Sequence, residues 1–157
     1  MGADPYWYYV PYEEDKNGAL QKLRLREFEA GRYYPVMYAG DLEFPLDDLD
    51  MAPSPGKAHE AIEEAMEEAA EQGTGSILDL EKTSEKGYQG VAHILNRDDL
   101  TKYFNTDKPT RQVIEENLDN VWDDIRDNEG VRGVGICVPV YSNGAPAELL
   151  FMGYSYD

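Results

Sequence analysis

Cys137 is the only cysteine in 157 residues. A single thiol closes no intrachain disulfide and builds no cysteine-based zinc cluster, so neither device is open to the chain on its own. No apolar run approaches the roughly 20 residues that a membrane-spanning helix needs. The start, MGADPYWYYV, lacks the basic and apolar regions of a secretory signal. The compartment expected from these features is the cytoplasm. Cations are scarce too: 14 Lys and Arg stand against 32 Asp and Glu, a formal net charge of -18. Nucleic-acid affinity comes from cations displacing counterions, so a DNA- or RNA-binding face is disfavoured, and the same field repels an anionic membrane.

What is present suffices for a packed core. Apolar residues make up 41% of the chain and aromatic residues 11%, whereas acidic chains that stay disordered are poor in aromatics. The length fits one domain over residues 1–157, because single cores occupy roughly 100 to 150 residues. Charge of this size and sign steers basic molecules, and a basic protein is the expected partner. The competing reading of the same charge is solvation, since acidic surfaces also keep proteins soluble.

Residues 6–12 are aromatic on both faces and read as a strand. Leu20, Leu23, Glu27 and Phe28 recur at helical spacing before Gly31, which predicts a first helix that gathers Lys16, Lys22, Arg24 and Arg26. Ser54 and Pro55 read as the cap and first position of a second helix, with Ala58, Ile62, Ala65, Met66 and Ala69 as its apolar stripe. Residues 77–80 read as a short strand or buried turn and residues 88–95 as a strand. Asn96 caps a short helix containing Leu100 and Phe104. Pro109 opens a long helix in which Ile114, Leu118, Val121, Trp122 and Ile125 share one face until Gly130. Val134, Ile136, Val138 and Val140 alternate along a strand, and Asn143-Gly144 is the preferred two-residue hairpin turn before residues 147–154 return. The expected fold is α+β, a small antiparallel sheet of the N-terminal strand plus the C-terminal hairpin, packed against two to three helices. The first helix and the long one are expected on the same face.

Chemistry-bearing residues are few. His59 lies among glutamates and reads as solvated; the H-E-x-x-H pattern is absent. His93, in an apolar run, reads as a partly buried histidine or as an acid–base group. Cys137, between Ile136 and Val138, reads as a small buried hydrophobe. Gly73-Thr74-Gly75-Ser76 is a helix cap and bend, or an anion-binding turn without the P-loop lysine. Ser76, Asp79 and His93 are the catalytic candidates if a pocket forms there. The segment holding Asp41, Glu43, Asp47, Asp48 and Asp50 fits no EF-hand spacing. No metal or cofactor is expected. Those five carboxylates, with Tyr8 and Tyr34 among twelve tyrosines, form the expected partner-binding set, because tyrosine buries large area at low entropy and keeps a polar handle.

The run from Tyr6-Trp7-Tyr8 through the Leu20–Phe28 helix, Gly73-Thr-Gly-Ser-Ile-Leu-Asp79, residues 106–110 and the Asn143-Gly144 hairpin resembles a group of small bacterial proteins with no assigned activity. The resemblance implies a single domain and no particular ligand or catalytic residue. Charge, aromatics and the lack of a catalytic signature together point to an acidic protein-binding module, of the kind by which an inhibitor or immunity protein neutralises a basic partner. The alternative is a small enzyme or small-ligand-binding protein with its pocket beside residues 73–79. Oligomeric state is not legible.

Overall fold

The computed structural model describes residues 4–46, 50–129 and 133–155, with side chains in the long helix described through Asp124. In chain order the elements are β1 (Pro5–Pro11), α1 (Lys16–Ala30), α2 (Ile62–Ala69), β2 (Lys82–Ser84), β3 (Val91–Ile94), α3 (Arg97–Phe104), α4 (Arg111–Glu129), β4 (Gly135–Ser142) and β5 (Ala145–Tyr154). The strands form one sheet in the order β1-β5-β4-β3-β2. The N-terminal strand pairs with the C-terminal hairpin, as the pattern predicts, in the register Tyr8 opposite Phe151 and Cys137 opposite Phe151.

The sheet is mixed, not purely antiparallel. β3 runs parallel to β4, and β2 parallel to β3. Two sequence features hide this. β3 and β4 are joined by a long crossover, the whole of α3 and α4, so nothing local in the sequence pairs them. β2 is only Lys-Thr-Ser, with no apolar alternation to mark it.

Helices cover both faces. Tyr6, Tyr8 and Val10 pack with Leu20, Leu23 and Phe28 of α1, with Cys137 and Phe151 on the same side. Tyr9 packs with Ile136, Val138, Leu150 and Met152 against Leu100 and Phe104 of α3 and Ile114, Leu118, Val121 and Trp122 of α4. The period of two along each strand sends neighbours to opposite faces. α1 and α4 therefore lie on opposite sides of the sheet, which corrects the expected one-sided packing and accounts for a first strand aromatic on both faces. Gly130 and the side chain of Ile125 lie outside the described residues.

α1 ends as predicted: Gly31 adopts a left-handed conformation and donates to the carbonyls of Glu27 and Phe28. A side chain there would also collide with the chain crossing over it, since an added Cβ would stand 2.2 Å from the Gly56 carbonyl oxygen. α2 begins at Ile62, seven or more residues after the predicted Ser54-Pro55 start. Tertiary bonds take those residues first. The Ser54 hydroxyl and the Pro53 carbonyl accept from Arg32, at 2.8 and 3.2 Å, and Gly56 N–H donates to the Ala30 carbonyl. Among the described residues no helix is long and apolar enough to cross a membrane.

Candidate functional site

Gly73 to Ser76 do form a turn with converging donors, but the anion they hold is the chain's own. The Asp79 carboxylate accepts from Thr74 N–H and the Thr74 hydroxyl, both at 2.8 Å, and from Gly75 N–H at 3.1 Å. Ser76 Oγ lies 2.8 Å from Thr74 Oγ1 and caps the short 3-10 turn Ile77–Asp79 by accepting from Leu78 N–H. All three side chains are buried. Burial pushes the Asp79 carboxyl above its ordinary value, and the donors from Thr74, Gly75 and Ser76 pull against that shift without cancelling it. The cluster folds the turn; it presents no reacting group to solvent.

His93 does not join it. The histidine pairs in register with Ile136, whose side chain belongs to the α3–α4 face, whereas Ile77–Asp79 packs on the α1 face. Its Nε2 stands 4.0 Å from the carboxylate of Asp99, which also accepts from Asn96 N–H in the capping box of α3. The sheet thus separates His93 from Ser76 and Asp79.

The partner-binding set divides differently. Tyr8 is fully buried, so the contact expected of it is not available at the surface. Its hydroxyl proton is held far above the ordinary tyrosine range, by burial first and the charge of Glu27 second. Asp41, Glu43 and Asp50 are exposed. Asp47 and Asp48 lie outside the described residues. Asp41 and Glu43 line a groove of about 730 Å³ whose remaining described walls are apolar, among them Phe44, Leu46, Met51 and Pro53. Met51 is 80% exposed. Tyr34, half-buried, stacks obliquely on Tyr38, with ring centroids 5.2 Å apart. The pair stands at a separate recess of about 100 Å³, beside Asp4, Thr74, Gly75 and Ser155. This recess is where a pocket beside residues 73–79 was expected, but neither Ser76 nor Asp79 lines it. The short 3-10 turn Ala39–Asp41 connects recess and groove.

A buried network fixes the far wall of the groove. Glu27 and Arg32, both buried, make a bidentate pair at 2.8 and 2.7 Å, and the remaining Arg32 nitrogen reaches Pro53 and Ser54. Further along, Tyr33 accepts from Ala58 N–H and lies 2.8 Å from His59 Nδ1, while His59 Nε2 meets the Glu68 carboxylate. His59 is therefore largely enclosed, with a side chain 10% exposed, not the solvated residue its neighbours imply. Sequence reading took His59 as solvated and gave Glu27, Arg32, Tyr33 and Tyr38 no part in a site. The one available signal was Glu27 on the apolar stripe of α1, where a charge needs a buried partner.

Among the described residues no group of three or more His, Cys, Asp or Glu side chains is placed to hold a metal ion. No protein-family model matches the chain, and no curated protein or solved structure matches it at a significant level.

Proposed function

We propose that this protein is an acidic binding module that receives a basic segment of a partner protein in the groove between residues 41–46 and 50–53, the mode of action of an inhibitor that neutralises a cationic surface. The groove carries the reading. Its carboxylates, Asp41 and Glu43, stand on apolar walls that include a highly exposed Met51. Apolar walls supply contact area and exposed carboxylates supply attraction and register. The glutamates of α2 at positions 63, 64, 67 and 68 are all exposed and extend the negative field. The Glu27–Arg32 pair holds the wall residue Pro53 through its carbonyl before any partner arrives, which lowers the ordering cost of binding.

The test is fluorescence anisotropy against an array of labelled peptides in which Lys and Arg alternate with Leu or Phe, at low and high salt. The expected result is binding by a subset of peptides that weakens as salt rises. The combined variant Asp41→Asn, Glu43→Gln, Asp50→Asn should slow association and flatten that salt dependence, because exposed charges act mainly on encounter. Met51→Ser should speed dissociation instead. Absence of binding at low salt, or equal binding by wild type and the triple variant, would remove the proposal.

A further inference from the structure

We infer that the Tyr34–Tyr38 recess is a subsite for an organic cation head, the ammonium or guanidinium of a Lys or Arg side chain, and this rests on the basic-partner reading above. Four observations carry it. First, size: about 100 Å³ admits a single head group, whereas pockets for drug-sized ligands run to about 300–1,000 Å³. Second, the backbone donors of the glycine-rich turn, which would serve an anion, are already engaged. Thr74 and Gly75 N–H are turned inward to Asp79, and Gly73 N–H bonds to the Ala70 carbonyl. Its described lining includes Tyr34, Tyr38, Asp4, Gln72 and Ser155; among the described residues Asp4 is the one charged side chain on it, and no Lys or Arg lines it.

Third, the two rings stand together, tilted by 47° with centroids 5.2 Å apart, and Tyr38 is left 63% exposed, so aromatic surface is open beside the recess. A cation within about 6 Å of such a face is attracted by the ring quadrupole. Fourth, the cation–ring contacts among the described residues use other rings: Lys16 over Tyr12, Lys57 over Phe28, Lys102 over Tyr103 and Arg111 over Tyr9. None of those four contacts involves Tyr34 or Tyr38. The recess lies one turn of chain from the groove, so a partner side chain anchored here would place its neighbouring residues along Asp41 and Glu43.

The experiment is an NMR titration of the intact chain with Nα-acetyl-argininamide and Nα-acetyl-lysinamide, using the neutral Nα-acetyl-citrullinamide and Nα-acetyl-norleucinamide as controls. The expected result is saturable shifts at the Tyr34 and Tyr38 ring protons and the Gly73–Gly75 amides with the cations only. Tyr38→Ser should weaken that binding about threefold to tenfold, Tyr38→Phe should retain it, and Asp4→Asn should weaken it at low salt. Tyr38 is exposed, so these variants fold. Equal shifts from the neutral probes, no shifts at these residues, or unchanged affinity in Tyr38→Ser would overturn the inference. If basic peptides still bind in that event, the groove reading stands alone. If the free cations bind here while no basic peptide binds, the subsite stands and the groove reading falls.

Discussion

Three buried protons make the alkaline side of this protein's stability a property of individual residues. Burial pushes the Cys137 thiol from 9.0 up to about 12. Tyr8 is raised by burial and then by Glu27, and Tyr9 by burial and then by the hydrogen bond it donates to Glu115 at 2.6 Å. In each case the folded state holds its proton after the unfolded state has released it. The sign follows from linkage: stability is intact below the unfolded pKa and is lost as pH rises toward the folded one. The melting temperature should therefore fall from about pH 9, where an unfolded thiol ionises, and more steeply above about pH 10, where unfolded tyrosines do. Thermal melts from pH 8 to 11 check this. Cys137→Ala should make the first part of the decline shallower and Tyr9→Phe the second. A flat profile across that range would contradict the burial of all three groups. At neutral pH the same burial leaves Cys137 unreactive toward a thiol reagent unless the protein is unfolded.

At the scale of elements, what was legible in the sequence is what repeats locally. The apolar periods of α1 and α4, the Asn96 cap of α3 and the alternation of β4 each appear where the pattern puts them. The Asn143-Gly144 turn forms with φ of 54° and 80°, the left-handed pair that a tight hairpin demands. Gly144→Val should lower stability by at least about 1 kcal/mol, because a β-branched residue is strained at that φ. An unchanged denaturation midpoint would mean that the turn relaxes without cost. What was not legible depends on distant partners. The parallel pairing of β3 with β4 is set across a crossover, and the start of α2 is decided by Arg32 rather than by Ser54. The site divides in the same way. Asp41 and Glu43 were legible as exposed-type residues, whereas the aromatics on both faces of β1 left open whether helices cover both sides or one side, with Tyr8 on it, is exposed. The sheet edges are likewise closed by remote chain. Leu46 bridges to Tyr8 along β1, whose ends are Pro5 and Pro11, and Asn17 of α1 accepts from Thr83 N–H on β2. These contacts and prolines blunt both edges against strand addition.

For the whole molecule the question is whether a net charge of -18 is a tolerated burden or a working field, and salt separates the two. Like charges crowded on a compact surface repel, which destabilises the folded state relative to an expanded chain. The exposed glutamates of α2 at positions 63, 64, 67 and 68, together with Asp41, Glu43 and Asp50, contribute to that repulsion. The Debye length falls from about 30 Å at 0.01 M to about 10 Å at 0.1 M ionic strength, so added salt should relieve most of this repulsion. The melting temperature should therefore rise with sodium chloride. The exposed ion pairs oppose this only weakly: Lys22 with Glu13, and Arg97 with Asp107, whose cations are 73% and 81% exposed, belong to a class that contributes little. Replacing Glu63, Glu64 and Glu67 by Gln should raise the low-salt melting temperature and shrink its rise with salt, leaving the high-salt value nearly unchanged. Binding of a basic peptide should move the opposite way, weakening in the same variant and with the same added salt. If salt stabilises the fold but leaves every peptide affinity untouched, the charge serves solvation alone. If both quantities respond in opposite directions, the protein accepts self-repulsion in its free state that a cationic partner relieves.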